Sequence, residues 1–510
     1  MAHDGFKLLR VDLTSGRIKE ETLDSSLTRE QIGGVGIATR LVFDEVAPNA
    51  DALGPDNKLA VAVGPLTGTG FPGSASVALA TLSPLTGTLI DGAISGFFGP
   101  ALRATGYDGI IVQGASAKPV ALVINGGRAE LKDAGAFWGK DARATVDDIP
   151  KAMGASDGRA IAIGPAGEKR VLLANLVADL GRNTGRGGMG AVMGAKKLKA
   201  IVVAGGKKAD VGQEAVFKGL VQRASRRIAA DHWLQLLQRW GTAVRMDTQW
   251  VYGAVPRQNW AASMPRESGV ALGGKKIADT ILVAHESCQD CPVKCTRWIK
   301  MPAGANAKEG PGPEYEALAA LGSLCMNDDL EAVCAANDLC NRLGLDPAST
   351  GSAIAFAMEA VAKGIADKSD AGTDLRWGNA EAVLHMVQAI GDRKGMGELL
   401  GQGVRVAAEV LAKGSETAAI HVRSLELPPF DPRAFFSLAP TLATGPSAVC
   451  DTFAASTSFE NITVMAEAGI KGRQGRFDRD GKGMAAKVAQ DFTAILNLLC
   501  VCPHPGLTLA

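Results

Sequence analysis

Three thiols share one short loop, Cys288-Gln-Asp-Cys291-Pro-Val-Lys-Cys295, a C-x2-C-x3-C pattern within eight residues. That spacing lets a turn-rich segment wrap one face of an iron–sulfur cubane, and a fourth thiolate must then come from elsewhere. Cys500 and Cys502, which follow the helix-like run VAQDFTAILNLL, are the candidates. Zinc held by four cysteines is also tetrahedral, although zinc loops more often pair two C-x2-C knuckles. The opening residues show no basic stretch followed by an apolar run, so a chain kept in the reducing cytoplasm is expected. There, nine cysteines are expected to serve as metal ligands where they cluster and not as a disulfide framework.

Two further segments carry chemistry. Asp179-Leu-Gly-Arg182-Asn183-Thr-Gly185-Arg186-Gly187-Gly-Met-Gly190 packs five glycines and two arginines into twelve residues, which can bring backbone N–H groups and guanidinium forks against phosphate. A plain tight turn is the other role for such a stretch. The ISGFFGP loop at 94–100 is a second candidate for phosphate approach. Glu314-Tyr315-Glu316 enters an apolar helix-like run after a GPGP turn, where acidic residues ordinarily stabilise a helix start.

The elements that must position these groups change character along the chain. Short β-branched runs at 58–64, 76–83, 108–114, 119–126, 159–164 and 199–206 predict a sheet-rich domain over residues 1–208. The likeness of GPLTGTG at 64–70 to SPLTGTL at 83–89 suggests a local duplication and two related sheets. Amphipathic stretches such as 214–240, 329–345 and 352–365 predict a helical second domain over 209–415, and a third helical segment follows over 416–510. The class is therefore α+β. Lys plus Arg number 54 against 53 Asp plus Glu, so no excess charge attracts nucleic acid or an anionic membrane. No run approaches the ~20 apolar residues of a membrane span.

The chain resembles the tungsten-containing aldehyde ferredoxin oxidoreductase family nearly end to end. The likeness runs through FKLLRVDLTSG, NKLAVAVGPLTGTG, GFFGPALRATGYDGIIVQG, AIGPAGE, GRNTGRGGMGAVMGAKKLKAI, CQDCPVKC, EGPGPEYEALAALGS, NRLGLDPASTG and LELPPFDPRA. The resemblance implies a sheet-rich first domain carrying a tungsto- or molybdo-bispterin, closed over by two helical domains. It assigns Cys288, Cys291, Cys295 and Cys502 to a [4Fe–4S] cluster. It sets Ala93, Arg182 and Asn183, with Gly185 and Gly187 of the same loop, against pterin phosphates and their bridging magnesium. Asn341 and Asp346, in NRLGLD, and Asn497, in NLLCVC, take the pterin-reading positions, and Glu316 the position of a general base beside the metal. The implied reaction oxidises an aldehyde to a carboxylate and delivers electrons to ferredoxin or an electron-transfer subunit, with homodimer and hetero-oligomer both open.

Several departures from the family fall on the site. Asp451 stands at the usual histidine, with Ser447 and Phe453 where basic residues are common, and Ser76 replaces an arginine near the cofactor. Asn341 and Asn497 replace aspartates, which keeps an acceptor but loses a charge-assisted bond. Asp451 is then a second candidate for proton transfer. Ala335 fills the place of a carboxylate that would pair with His385 at a dimer metal. His285, His421 and His504 have no ligand-like neighbours in sequence. Cys325, in LGSLCMNDD, could approach the metal as a thiolate does in related benzoyl-CoA reductase subunits, although a small buried side chain is its simpler role. The chain stops soon after Cys502, where relatives continue, so either completion of the third segment by a partner chain or a truncated gene is expected. Two alternatives follow: reduction of an activated aromatic or carboxylic acid, or a non-catalytic subunit that keeps the cluster as a relay.

Overall fold

The computed structural model describes residues 5–184, 186–302, 308–445, 456–460 and 465–509. The β-branched runs of the first 204 residues build two six-stranded sheets. The first contains β1 (Phe6–Asp12), β2 (Arg17–Leu23), β3 (Leu59–Val63), β4 (Val77–Leu82), β5 (Leu89–Ile94) and β6 (Gly109–Gln113), in the order β2-β1-β6-β3-β4-β5. The second contains β7 (Val120–Asn125), β8 (Arg128–Asp133), β9 (Arg159–Ala162), β10 (Leu176–Val177), β11 (Asn183–Thr184) and β12 (Leu198–Ala204), in the order β11-β10-β9-β12-β7-β8. Each sheet has one parallel pair, β1 with β6 and β7 with β12, in an otherwise antiparallel ladder. Two sheets were expected, but both GPLTG-like segments lie in the first, one after β3 and the other between β4 and β5. The repeat is internal to one sheet and does not relate the two.

Strand alternation shows how the sheets pack. In β7, Leu122 and Ile124 enter a core shared with Val61 and Leu79 of the first sheet, while Ala121 and Val123 face a separate cluster with Val146 and Ile149 of the helix Ala142–Ala152. This is the period of two that a pleated strand imposes. On the first sheet's outer face, Ala60, Ala62 and Ala80 lie in one cluster with Ile37, Leu41 and Val42 of the helix Gly34–Glu45. The inner faces therefore meet each other, and each outer face takes a helix.

Helices dominate after β12. The amphipathic stretch at 214–240 is broken at Asp231, with Glu214–Ala230 before it and His232–Trp240 after it. The Asp231 backbone leaves the helical region, and its carboxylate caps Leu234 N at 2.9 Å. A good N-cap residue thus overrides a continuous apolar period. The cysteine loop connects two antiparallel strands, Leu282–Glu286 and Thr296–Lys300, of a small three-stranded sheet. Glu314 precedes a helical stretch whose α turn, Tyr315–Ala317, passes into a π segment, Leu318–Gly322, and a 3-10 turn, Ser323–Cys325. The π-helix is rare and is found mostly as short pieces at functional sites.

Near the end of the chain, Lys482–Leu499 and Pro503–Leu509 meet at 113°. Cys500 makes that bend with a left-handed φ of 55°. The helix end docks so tightly on the first sheet that a Cβ on Gly64 would stand 2.4 Å from Leu499 O. Among the described residues, no single helix is long and apolar enough to cross a membrane.

Candidate active site

The two sheets and the helical half enclose a cavity of about 650 Å³ between them. Its wall includes Cys288, Cys291, Cys295 and Cys502, together with Ala93, Arg182, Asn183, Glu316, Asn341, Asp346 and Asn497. Residues from six separate segments of the sequence thus face one volume, within the range of cofactor pockets. Gly187 does not line it. A Cβ there would stand 2.3 Å from Ile90 Cδ1, and Ser83 Oγ donates to Gly187 O at 2.7 Å, so this glycine serves packing between the sheets. Gly185, Ser447, Asp451 and Phe453 lie outside the described residues.

The thiols sense one another. Burial pushes the Cys291 thiol up to about 12, with Cys295 and Cys288 adding to the shift. Burial also raises the Cys502 thiol, again with Cys295 and Cys291 contributing. Cys500 also borders the cavity, but its Sγ packs 3.8 Å from Asn497 O and 3.9 Å from Ala62 O, against the first sheet. The turn at Cys500 separates the two residues, and Cys502 N is anchored to Gly73 O at 2.8 Å. Thiols buried together become thiolates only when a cation compensates them, which is the setting of a metal-ligand set. Among the described residues, no three His, Cys, Asp or Glu side chains are arranged to hold a single metal ion.

Arg182 stands at the junction of the cysteine loop and the Gly-rich segment. One Nη lies 3.6 Å from Cys295 Sγ and also bonds Thr296 Oγ1, while the other pairs with Glu314 Oε1 at 3.3 Å. Burial opposes its charge, but Cys288, Cys295 and Glu314 outweigh that and hold the guanidinium cationic. Its buried Nε has no protein partner, leaving a donor for a bound group. Glu314 makes no helix-capping bond, contrary to the ordinary role read for it from sequence. Thr242 Oγ1 donates to its second oxygen instead. Tyr315, between the two glutamates, is fully buried and donates to Pro429 O at 2.6 Å, which fixes the backbone that presents half-buried Glu316 to the cavity.

Amides and carboxylates form another part of the wall. Asn183 Nδ2 donates to Asn341 Oδ1 at 3.0 Å. Asp346 caps the helix Pro347–Ala362 by accepting from Ala348 N and Ser349 N, and it accepts from Arg186 Nε at 2.9 Å. About four lone-pair sites are available on a carboxylate, so Asp346 retains little capacity to read a ligand. Arg186, the second arginine of the Gly-rich segment, also bonds Ser349 Oγ at 2.8 Å and so turns to protein partners. Ser76 bonds Ser95 Oγ at 2.7 Å, so a hydroxyl pair occupies the place of the expected guanidinium.

His504 differs from the sequence reading, whereas Cys325 takes the simpler role read for it. His504 lines the cavity beside Arg245 and Arg182, and burial, aided by those cations, lowers its pKa to about 3. Its position two residues after Cys502, in the same turn, was the available signal. Cys325 is fully buried off the cavity wall, with Sγ 3.4 Å from Ala320 O and 3.6 Å from Gly351 O.

Comparison with known proteins assigns the family. Residues 8–205 match the model of the aldehyde ferredoxin oxidoreductase N-terminal domain, and residues 219–508 match that of the family's domains 2 and 3. The chain belongs to the aldehyde ferredoxin oxidoreductase family. It is 37% identical over 430 residues to the tungsten-containing aldehyde ferredoxin oxidoreductase of Pyrococcus furiosus, covering 84% of this chain and 70% of that protein. The corresponding protein of Thermococcus kodakarensis is 36% identical with the same coverage. Among solved structures, the active-site complex BamBC of benzoyl coenzyme A reductase, in complex with 1,5-dienoyl-CoA, aligns with a TM-score of 0.84 at 25% identity. That alignment covers 98% of this chain and 81% of the other. As a member of the aldehyde ferredoxin oxidoreductase family, the chain is an oxidoreductase with tungsten enzymes among its relatives, and its α+β fold follows the family's.

Proposed function

We propose that the protein oxidises aldehydes to carboxylates with a tungsto- or molybdo-bispterin and passes the electrons through a [4Fe–4S] cluster to ferredoxin or a partner subunit. The observation that carries this reading is the convergence of Cys288, Cys291, Cys295 and Cys502, with Cys500 beside them, the Arg182 fork and Glu316 on one cavity. Cys288, Cys291, Cys295 and Cys502 would each hold one iron. Zinc would instead draw four sulfurs to about 2.3 Å from a single ion, and iron analysis separates the two. The Arg182 Nε and the amides of Asn183, Asn341 and Asn497 would meet the polar edges and phosphates of the pterins. A magnesium ion would bridge those phosphates at Ala93 and Asn183.

When bound, the metal–pterin centre would accept an electron pair and the cluster would relay single electrons. The overall change is aldehyde plus water to carboxylate, three protons and two electrons. Glu316 would take a proton from water or the aldehyde hydrate as charge leaves the substrate. Tyr315, anchored on Pro429 O, would hold that carboxylate in place. Reduction of an activated aromatic or carboxylic acid is a second reading, favoured by the benzoyl coenzyme A reductase likeness. Cys325, the residue that first motivated it, lies off the cavity wall and lends it no support.

The test is metal analysis and assay of protein made anaerobically in a host that synthesises the cofactor. The expected result is about four irons, one tungsten or molybdenum with two pterins, and aldehyde-dependent reduction of ferredoxin or a viologen dye. Zinc without iron would refute the cluster. Iron without tungsten, molybdenum or pterin would assign the chain to a relay role. Turnover only from reduced dye to an acid or acyl-CoA would select the second reading.

A further inference from the structure

Reading Glu314 as a helix-start residue leaves its contacts unexplained. The carboxylate sits between Arg182, whose Nη is 3.3 Å from Oε1, and Thr242, whose hydroxyl donates to Oε2. Thr242 Oγ1 in turn accepts from Tyr315 N at 2.9 Å, so the clamp is tied to the backbone of the segment that carries it. On its other side the guanidinium reaches Thr296 Oγ1 and, at 3.6 Å, Cys295 Sγ. The Arg182 side chain is 20% exposed and Glu314 36%. Arg182 thus has one nitrogen on a candidate cluster ligand, one on a carboxylate, and its Nε without a protein partner.

We propose that Arg182 and Glu314 form a charge pair that sets the reduction potential of the cluster, the guanidinium raising it through Cys295 and the carboxylate restraining that rise. The inference rests on the cluster reading above and extends it to residues that the cysteine pattern does not reveal. Reduction adds one electron to the cluster, so a fixed cation donating to a ligand sulfur stabilises the reduced state, and potentials in such centres follow net charge and hydrogen bonds to sulfur. Glu314 acts through Arg182 and is a positioning residue. Its second effect is electrostatic and opposite in sign. Because Arg182 also lies on the cavity wall, the pair would match the cluster to the electron donor beside it.

The test is a redox titration of the cluster, followed by electron paramagnetic resonance of the reduced form, in the parent protein and three variants, each with its iron content measured. Glu314→Gln removes the charge while keeping an acceptor for Arg182, and is expected to move the midpoint to higher potential. Arg182→Gln is expected to move it to lower potential, with Arg182→Lys between Arg182→Gln and the parent. Midpoints unchanged with iron retained, or shifts of the same sign for Glu314→Gln and Arg182→Gln, would overturn the proposal. If Arg182→Gln loses iron, an unchanged midpoint in Glu314→Gln and Arg182→Lys overturns it equally. A parent protein lacking iron would refute the cluster reading and this inference together, whereas an iron-replete parent with unmoved variants refutes only the inference.

Discussion

Two parts of the cavity wall satisfy their polar groups by different means. Around the cysteine loop, burial and nearby thiols raise Cys291 and Cys502, and Arg182 keeps an Nε–H with no protein partner. Around Asn341, by contrast, side chains of the two halves bond one another: Asn183 with Asn341, and Arg186 with both Asp346 and Ser349. The first part requires a cation to compensate its charge. The second is a set of protein–protein bonds that holds the sheet domain against the helices whether or not a ligand contributes. Substitutions should therefore affect metal content in the first part and stability in the second.

The sharpest contrast concerns Cys502 and Cys500. Cys502→Ser is expected to abolish the cluster, seen as loss of iron and of the broad visible absorption, while Cys500→Ala keeps both. Iron lost from Cys500→Ala and kept in Cys502→Ser would reverse the assignment of the fourth ligand. Glu316→Gln comes next. A positioned base contributes about 10²–10⁴-fold, so turnover with aldehyde should fall by that order while iron, tungsten and molybdenum stay at parent levels. Asp451→Asn is expected to cost less, and the opposite ranking would move the proton-transfer role to the third segment.

Around Arg186 the effect is on folding. Arg186→Met leaves the buried Asp346 carboxylate without its cationic partner and should cost about 3–5 kcal/mol in denaturant unfolding, the usual consequence of breaking a buried pair from one side. Iron content per folded molecule should hold, and a loss of iron without a loss of stability would contradict the division drawn here. The smallest effect is expected for Tyr315→Phe, which removes the bond to Pro429 O but keeps the ring packed on Phe430 at 4.4 Å. About 1 kcal/mol of stability should be lost, with iron unchanged.

Much of this molecule could be read along the chain. The runs expected at 58–64, 76–83, 108–114 and 119–126 are strands β3, β4, β6 and β7 within a residue at each end, because short β-branched segments between glycine turns have few other ways to bury themselves. The helical stretch at 214–240 was read without its break, since Asp231 acts through a single cap that apolar periodicity does not register. A helix start is the ordinary setting of an acidic residue, and Arg182, which engages Glu314, lies 132 positions earlier, beyond the reach of local pattern. His504 was passed over because the neighbours that give it meaning, Arg182 and Arg245, are also distant in sequence.

The sequence by itself determined the local features: the C-x2-C-x3-C tripod, the glycine-rich segment, the alternation of the strands, and through the resemblance the family and its fold. These depend on residue type and spacing over a few positions, where backbone geometry leaves little choice. Only the tertiary structure decided which way each group faces. Cys500 turns toward Ala62 and Cys502 toward the tripod, because the preceding helix ends against Gly64 with no room for a Cβ and the chain must reverse in a left-handed turn. Likewise Arg182 meets Cys295 and Glu314 only because the Gly-rich segment and the cysteine loop pack side by side. A side chain's direction is set by the surfaces it must avoid and the partners it must satisfy, and those come from distant parts of the chain.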